Sequence, residues 1–191
     1  MKKINIITAI ILLVVSAAFA EVQNKPTSAQ GLYLTIEDFL NHHLSYSNGN
    51  KIILNEFLAS AKIKVITTGE SKTLAKKQVF GYHNSNNEDY RFYKNELYQI
   101  ITTQPWFVYK HYASTSVQGG KGNIKKEFYY FSIAGTDELI PLTVENLKKS
   151  FPDNLKFHDL LDLIKNDDDL VSYDSYRNEL KVEYLYQKSL Q

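Results

Sequence analysis

His158 and Asp162 stand four residues apart, one helical turn, so a ring nitrogen and a carboxylate could grip one metal ion from two sides, with Asp159 alongside. A zinc site takes three or four ligands, and neither a second such pair nor an H-E-x-x-H box accompanies them. A solvated His and Asp on the polar side of a helix explain the same spacing. His42 and His43 lie about 100° apart around a helix, which keeps them from sharing an ion. His43 is expected on the core and His42 in water. Asp167-Asp168-Asp169 lacks the glycine and closing glutamate of a calcium loop and reads as a turn and helix cap, where carboxylates favour the positive end of the dipole. Gly119-Gly120-Lys121-Gly122 has the composition of a phosphate loop without its strand and helix frame, so a hairpin tip is the simpler reading. There is no G-x-S-x-G elbow and no framed S-x-x-K. The carboxylates available to a glycosidase pair, Glu37, Asp38, Glu56, Glu70, Glu88, Asp89, Glu127, Asp137 and Glu138, fall mostly in turns and caps. These residues assign no catalytic group, metal or cofactor.

Aromatic rings offer a second chemistry, stacking on sugars or apolar groups. Residues 79–112 hold ten aromatics in thirty-four positions. They occur in runs of Tyr, Phe, Val and Ile separated by His83 to Asp89, by Lys94-Asn95, and by Thr103-Gln104 before Pro105, a pattern that predicts an antiparallel meander. Alternation groups Tyr90 with Phe92 and Arg91 with Tyr93, and sets Trp106, Val108 and Tyr112 opposite Phe107 and Tyr109. Neither face comes out polar. The sheet is therefore either covered on both sides, by helices and by closure into a barrel, or shows its rings to a ligand. In the second case the contacts are Tyr90, Tyr93, Trp106, Tyr109 and Tyr112.

The elements that must position these groups follow from punctuation and period. Lys2 and Lys3, an apolar run over 4–15 and Ala18-Phe19-Ala20 read as a cleaved secretory signal of residues 1–20, followed by a flexible lead-in over 21–30. The apolar run is shorter than the roughly 20 residues of a membrane span, and no later segment approaches that length. Without cysteine the chain has no lipobox, thiol nucleophile, cysteine-held metal or disulfide. Its 22 basic and 21 acidic side chains become 20 against 21 without Lys2 and Lys3, a balance that argues against nucleic acid as a partner.

Residues 31–191 are expected to form one α+β domain, an antiparallel, barrel-like β-meander followed by a C-terminal helical segment. A strand over 31–34 precedes a helix capped by Thr35, with Asp38 at its third position. Asn48-Gly49 signals a hairpin joining 44–46 to 51–54, and 55–61 reads as a helical turn. The meander covers about 62–133, with a loop over 114–123, and helices occupy about 143–190. Thr143 caps the first helix, which Pro152 stops. Phe157, Leu160, Leu161 and Ile164 form the apolar side of the second, and Tyr173, Tyr176, Leu180 and Tyr184 a single stripe on a third over 170–190.

Gly31-Leu32-Tyr33-Leu34-Thr35 with Glu37-Asp38-Phe39, Phe80-Gly81-Tyr82, Tyr90-Arg91-Phe92-Tyr93, Pro141-Leu142-Thr143 with Glu145-Asn146-Leu147, and the run from Phe151 to Leu161 together resemble a group of uncharacterised exported proteins of Bacteroidetes-type Gram-negative bacteria. The resemblance covers nearly all of the chain after the leader. It implies an envelope location and supplies no catalytic or binding residue. Two functions are carried forward. One is a non-catalytic exported protein, periplasmic or secreted, that binds a glycan, peptide or partner protein through an aromatic sheet face. The other is a small secreted hydrolase or metal-dependent enzyme using His158 with Asp159 or Asp162.

Overall fold

The computed structural model describes residues 29–54, 60–116 and 123–191. The signal expected over 1–20, most of the lead-in and most of the helical turn expected over 55–61 lie outside the described residues. In chain order the strands are β1 (Gly31–Tyr33), β2 (Lys51–Ile53), β3 (Lys62–Ile66), β4 (Ser71–Ala75), β5 (Gly81–His83), β6 (Asp89–Tyr93), β7 (Glu96–Thr102), β8 (Phe107–Ser116), β9 (Asn123–Ser132), β10 (Ile140–Pro141), β11 (Tyr173–Asp174) and β12 (Glu179–Leu180). The helices are α1 (Ile36–Leu40), α2 (Val144–Ser150), α3 (Leu155–Leu161) and α4 (Lys181–Ser189). A seven-stranded antiparallel sheet runs in the order β1-β5-β6-β7-β8-β9-β10, and β2-β3-β4 form a second, smaller sheet.

Local chemistry accounts for most boundaries. The Thr35 hydroxyl accepts from Asp38 N at 3.1 Å while Asp38 Oδ2 accepts from Thr35 N at 3.0 Å, a reciprocal cap that starts α1. Thr143 and Asn154 cap α2 and α3 in the same sense. Lys94 and Asn95 take φ of 49° and 70°, the left-handed pair whose twist suits the two-residue turn between β6 and β7. Gly81 lets β5 approach β6 closely, since a Cβ there would stand 2.2 Å from the Tyr90 carbonyl oxygen.

Three expectations change. Asn48 and Gly49 do turn through left-handed φ values of 58° and 87°, but the flanking segments pair elsewhere. Ser45 exchanges main-chain bonds with Leu32, each 2.8 Å, and β2 pairs with β3, because Ile52 opposite Val65 is buried better in a three-stranded sheet than in a lone hairpin. Residues 170–190 are not one helix. Asp167–Val171 is a 3-10 turn capped by Asn166, β11 and β12 form a hairpin closed by Asn178 at φ 60°, and only α4 continues. Tyr176 is 94% exposed near that turn, so the stripe of Tyr173, Tyr176, Leu180 and Tyr184 does not exist. His43 faces solvent, with its Nδ1 3.0 Å from Asp38 Oδ1, rather than the core.

The large sheet is open, with β1 and β10 at its edges, and its faces are covered by packing rather than by barrel closure. On one face Leu32 and Phe92 pack with Ile63, Val65 and Leu54 of the small sheet region. Farther along that same face, Trp106, Val108 and Phe131 pack with Leu147, Phe157, Leu161, Val182 and Leu185 of the helices. The opposite face buries Tyr33, Tyr98, Phe107 and Tyr109 beneath Phe39 of α1 and Leu139. Between the small sheet and the helices a strip of the first face stays partly open.

Candidate functional site

Alternation along the register sets Tyr82 beside Tyr90, then Gln99, Lys110 and Tyr129 in successive strands of the open strip. Tyr90, Tyr82 and Tyr112 line a groove of about 950 Å³, with Asn84, Leu97 and Lys125 beside them and Ile52, Ile53 and Leu54 of the small sheet opposite. The Tyr82 and Tyr90 ring centroids stand 6.4 Å apart, tilted by 35°. Their hydroxyls are tied back, Tyr82 donating to Gln30 Oε1 at 3.1 Å and Tyr90 to Glu88 Oε2 at 3.0 Å. Rings fixed in this way present their faces at little further entropic cost.

Glu88 organises one end. It accepts from Asn84 at 2.7 Å, from Tyr90 and from Gln99 at 3.2 Å, and these bonds, Asn84's first, with the Lys110 charge, hold its carboxyl below the usual range. Across the strip Tyr129 donates to Glu127 at 2.8 Å, and that bond, with Tyr112 and Lys110, lowers Glu127 as well. Burial, followed by the Glu127 carboxylate, pushes Tyr129 up to about 12. Lys110 Nζ lies 4.0 Å from Glu127 and 5.3 Å from the Tyr112 ring centre. At the groove's other end Lys76, only 1% exposed, donates to Asn95 O at 2.8 Å and sits over the Phe92 ring.

Two other polar clusters lie on the opposite face. Tyr33 donates to Asp89 Oδ1 at 2.9 Å and His83 Nδ1 meets the same oxygen at 2.6 Å. Burial, then Asp89, raises the Tyr33 phenol above its ordinary range. The cluster joins β1, β5 and β6. Arg91, buried, donates to Tyr109 Oη at 3.2 Å and to Asp137 O at 2.7 Å, and pins the β9–β10 connection to the sheet.

The five rings singled out in the sequence do not share one surface. Tyr90 and Tyr112 line the groove, and Tyr112 is 48% exposed. Tyr93 lies on the opposite face with its hydroxyl on Glu138 at 3.1 Å. Tyr109 is fully buried, bonded to Arg91 and Ser132. Trp106, 2% exposed, is enclosed by Phe131, Phe151, Phe157 and Tyr186, so neither it nor Tyr109 can meet a ligand. His158 Nε2 faces Phe151 O at 2.9 Å, and Asp162 pairs with Lys148, so the two side chains turn to different partners. No three His, Cys, Asp or Glu side chains come together among the described residues. Sequence reasoning missed Tyr82, Asn84 and Lys110 and named Glu88 only among carboxylates expected in turns and caps. Tyr82 was recoverable, since a short turn between β5 and β6 places it opposite Tyr90.

No known protein family, curated protein or solved structure matches the chain. Among the described residues no helix is long and apolar enough to cross a membrane.

Proposed function

We propose that this chain is an exported, non-catalytic binding protein of a Gram-negative envelope, periplasmic or secreted, and that its ligand occupies the tyrosine-lined groove. The groove itself carries the reading. Its volume of about 950 Å³ lies at the upper end of ligand sites, which run from roughly 300 to 1,000 Å³. Its ring faces are held by hydroxyl bonds at their far ends, and its lining mixes Asn84, Asn95, Glu96 and His111 with the aliphatic side chains of Ile52, Ile53, Leu54 and Leu97. Support for export comes from the leader-like pattern of Lys2-Lys3, the apolar run and Ala18-Phe19-Ala20, and from the resemblance to exported Bacteroidetes-type proteins.

The test is the melting temperature of the protein against glycans, peptidoglycan fragments, fatty acids and short peptides. A ligand at about a hundredfold over its dissociation constant adds about 2.7 kcal/mol, roughly 5 to 10 °C for a domain of this size. The shift should vanish in Tyr90→Ala and in Tyr112→Ala. A shift that survives both substitutions places the ligand elsewhere and rejects the groove.

A further inference from the structure

Each tyrosine of the groove commits its hydroxyl to a neighbour. Tyr82 donates to Gln30 and Tyr90 to Glu88. Glu127 takes bonds from Tyr129 and from Tyr112, and both lower its carboxyl. With the hydroxyls engaged, what these side chains offer a ligand is ring surface. A phenol that donates to a carboxylate gains electron density in its ring, so the faces of Tyr90 and Tyr112, already negative by their quadrupole, become more so. Such faces attract weakly positive C–H groups and repel carboxylates. Lys110 takes one face of Tyr112, with Nζ 5.3 Å from the ring centre, and the side chain is still 48% exposed.

Charge in the lining is balanced among the described residues. Glu96 stands against Lys125. Lys76 is 1% exposed and committed to Asn95 O and the Phe92 ring, so its ammonium is not presented to the groove. His111 Nδ1 lies 2.9 Å from the Leu97 carbonyl oxygen, which makes that nitrogen the donor, and Nε2 lies 3.4 Å from Glu96. No excess of either sign is left to select an anion or a cation. Across from the rings stand Ile52, Ile53 and Leu54. An acyl chain would suit the rings and the aliphatic wall but leave Asn84, Asn95 and Glu96 facing hydrocarbon. A pyranose has C–H groups on its faces and hydroxyls around its rim. Each hydroxyl both donates and accepts, so an uncharged sugar can answer an amide and a carboxylate at once.

Resting on the groove as the binding site, we infer that its ligand is a neutral oligosaccharide whose sugar faces stack on Tyr82, Tyr90 and Tyr112. The volume of about 950 Å³, at the upper end of ligand sites, suits a short oligosaccharide better than a single sugar.

Isothermal titration tests the inference with three neutral probes, cellohexaose, maltohexaose and chitohexaose, and two charged counterparts, hexagalacturonate and the deacetylated chitosan hexamer. At least one neutral hexasaccharide should bind saturably with a dissociation constant of about 1 mM or tighter, and the charged ones at least tenfold more weakly. Which of the three binds distinguishes the linkage and the acetamido group. Tyr90→Leu and Tyr112→Leu keep apolar bulk and lose the ring face, and each should weaken that sugar roughly tenfold, whereas Tyr90→Phe and Tyr112→Phe keep the face and stay within about threefold. Tyr112 is half exposed, so its variants should melt with the parent. Unaltered binding by both leucine variants, or tighter binding of either charged hexamer, overturns the stacked neutral sugar. If no neutral hexasaccharide binds at about 10 mM, the sugar is wrong. The groove then still stands if a fatty acid or a peptide raises the melting temperature and Tyr90→Ala and Tyr112→Ala abolish the shift. If a sugar binds and its isotherm survives Tyr90→Ala and Tyr112→Ala, the ligand lies elsewhere and both readings fall.

Discussion

Trp106 shows what a single side chain contributes when it fills the junction of sheet and helices. Four rings enclose it, with Tyr186 centred 4.5 Å away and Phe151 4.9 Å away. Trp106→Ala should cost about 3 to 5 kcal/mol in a denaturant titration through lost burial and a cavity. Its Nε1 has no hydrogen-bond partner among the described residues, so Trp106→Phe forfeits no polar contact and should be markedly milder. Glu88 acts through charge instead. Its folded carboxyl titrates below the ordinary glutamate value, chiefly through Asn84, so the stability it adds is present above that value and lost as pH falls through the depressed one. Glu88→Gln should be less stable at neutral pH and lose less on acidification below about pH 4.3, as melting curves at stepped pH would show. A steeper acid loss in the variant would contradict this. The sequence indicated which strand face Tyr90, Trp106 and Tyr112 take, but not what covers each face. Trp106 shares its face with Tyr112, yet helices some forty to eighty residues later in the chain cover the one and leave the other open.

At the level of elements, caps and close approaches carry the specificity. Thr35→Ala removes one half of the reciprocal cap of α1 and should cost about 1 kcal/mol in denaturant unfolding. Gly81→Ala brings a Cβ against the Tyr90 carbonyl, backbone that cannot rotate away, so β5 must move off β6. That variant should lose hydrogen-exchange protection along β1 and β5 first, and unchanged protection there would refute the close approach. α1, α2 and α3 were legible because their signals are local: the caps Thr35 and Thr143 and the apolar side formed by Phe157, Leu160 and Leu161. The stretch over 170–190 misled for an equally physical reason. Tyr173, Tyr176, Leu180 and Tyr184 fall at helical spacing, but the 2.8 Å bond from Lys181 N to Ser172 O and the left-handed Asn178 fold that stretch into a hairpin. The turn at Asn48-Gly49 was legible and its partner strands were not, because pairing with Leu32 and Val65 is decided by burial far along the chain.

For the molecule as a whole, one sheet face serves two separate covers, the small sheet at the β1–β6 end and the helices at the β8–β10 end. Among the described residues each cover buries its apolar side on this shared face, so each depends on the shared sheet. Thermal unfolding should therefore be a single transition in far-ultraviolet circular dichroism and calorimetry, with calorimetric and van't Hoff enthalpies in agreement. Two resolved transitions would mean that the covers melt independently. The α+β class and the antiparallel order were readable from the change of hydrophobic period near residue 140, whereas the gap between the covers has no sequence signature, being defined by what fails to meet. The division also has an optical consequence. The chain's one tryptophan lies wholly within the helical cover, while the groove is lined by tyrosines. Indole emission will report whether the helices are seated and stay nearly silent to occupancy of the groove, so a flat tryptophan signal in a ligand titration is no evidence that nothing has bound.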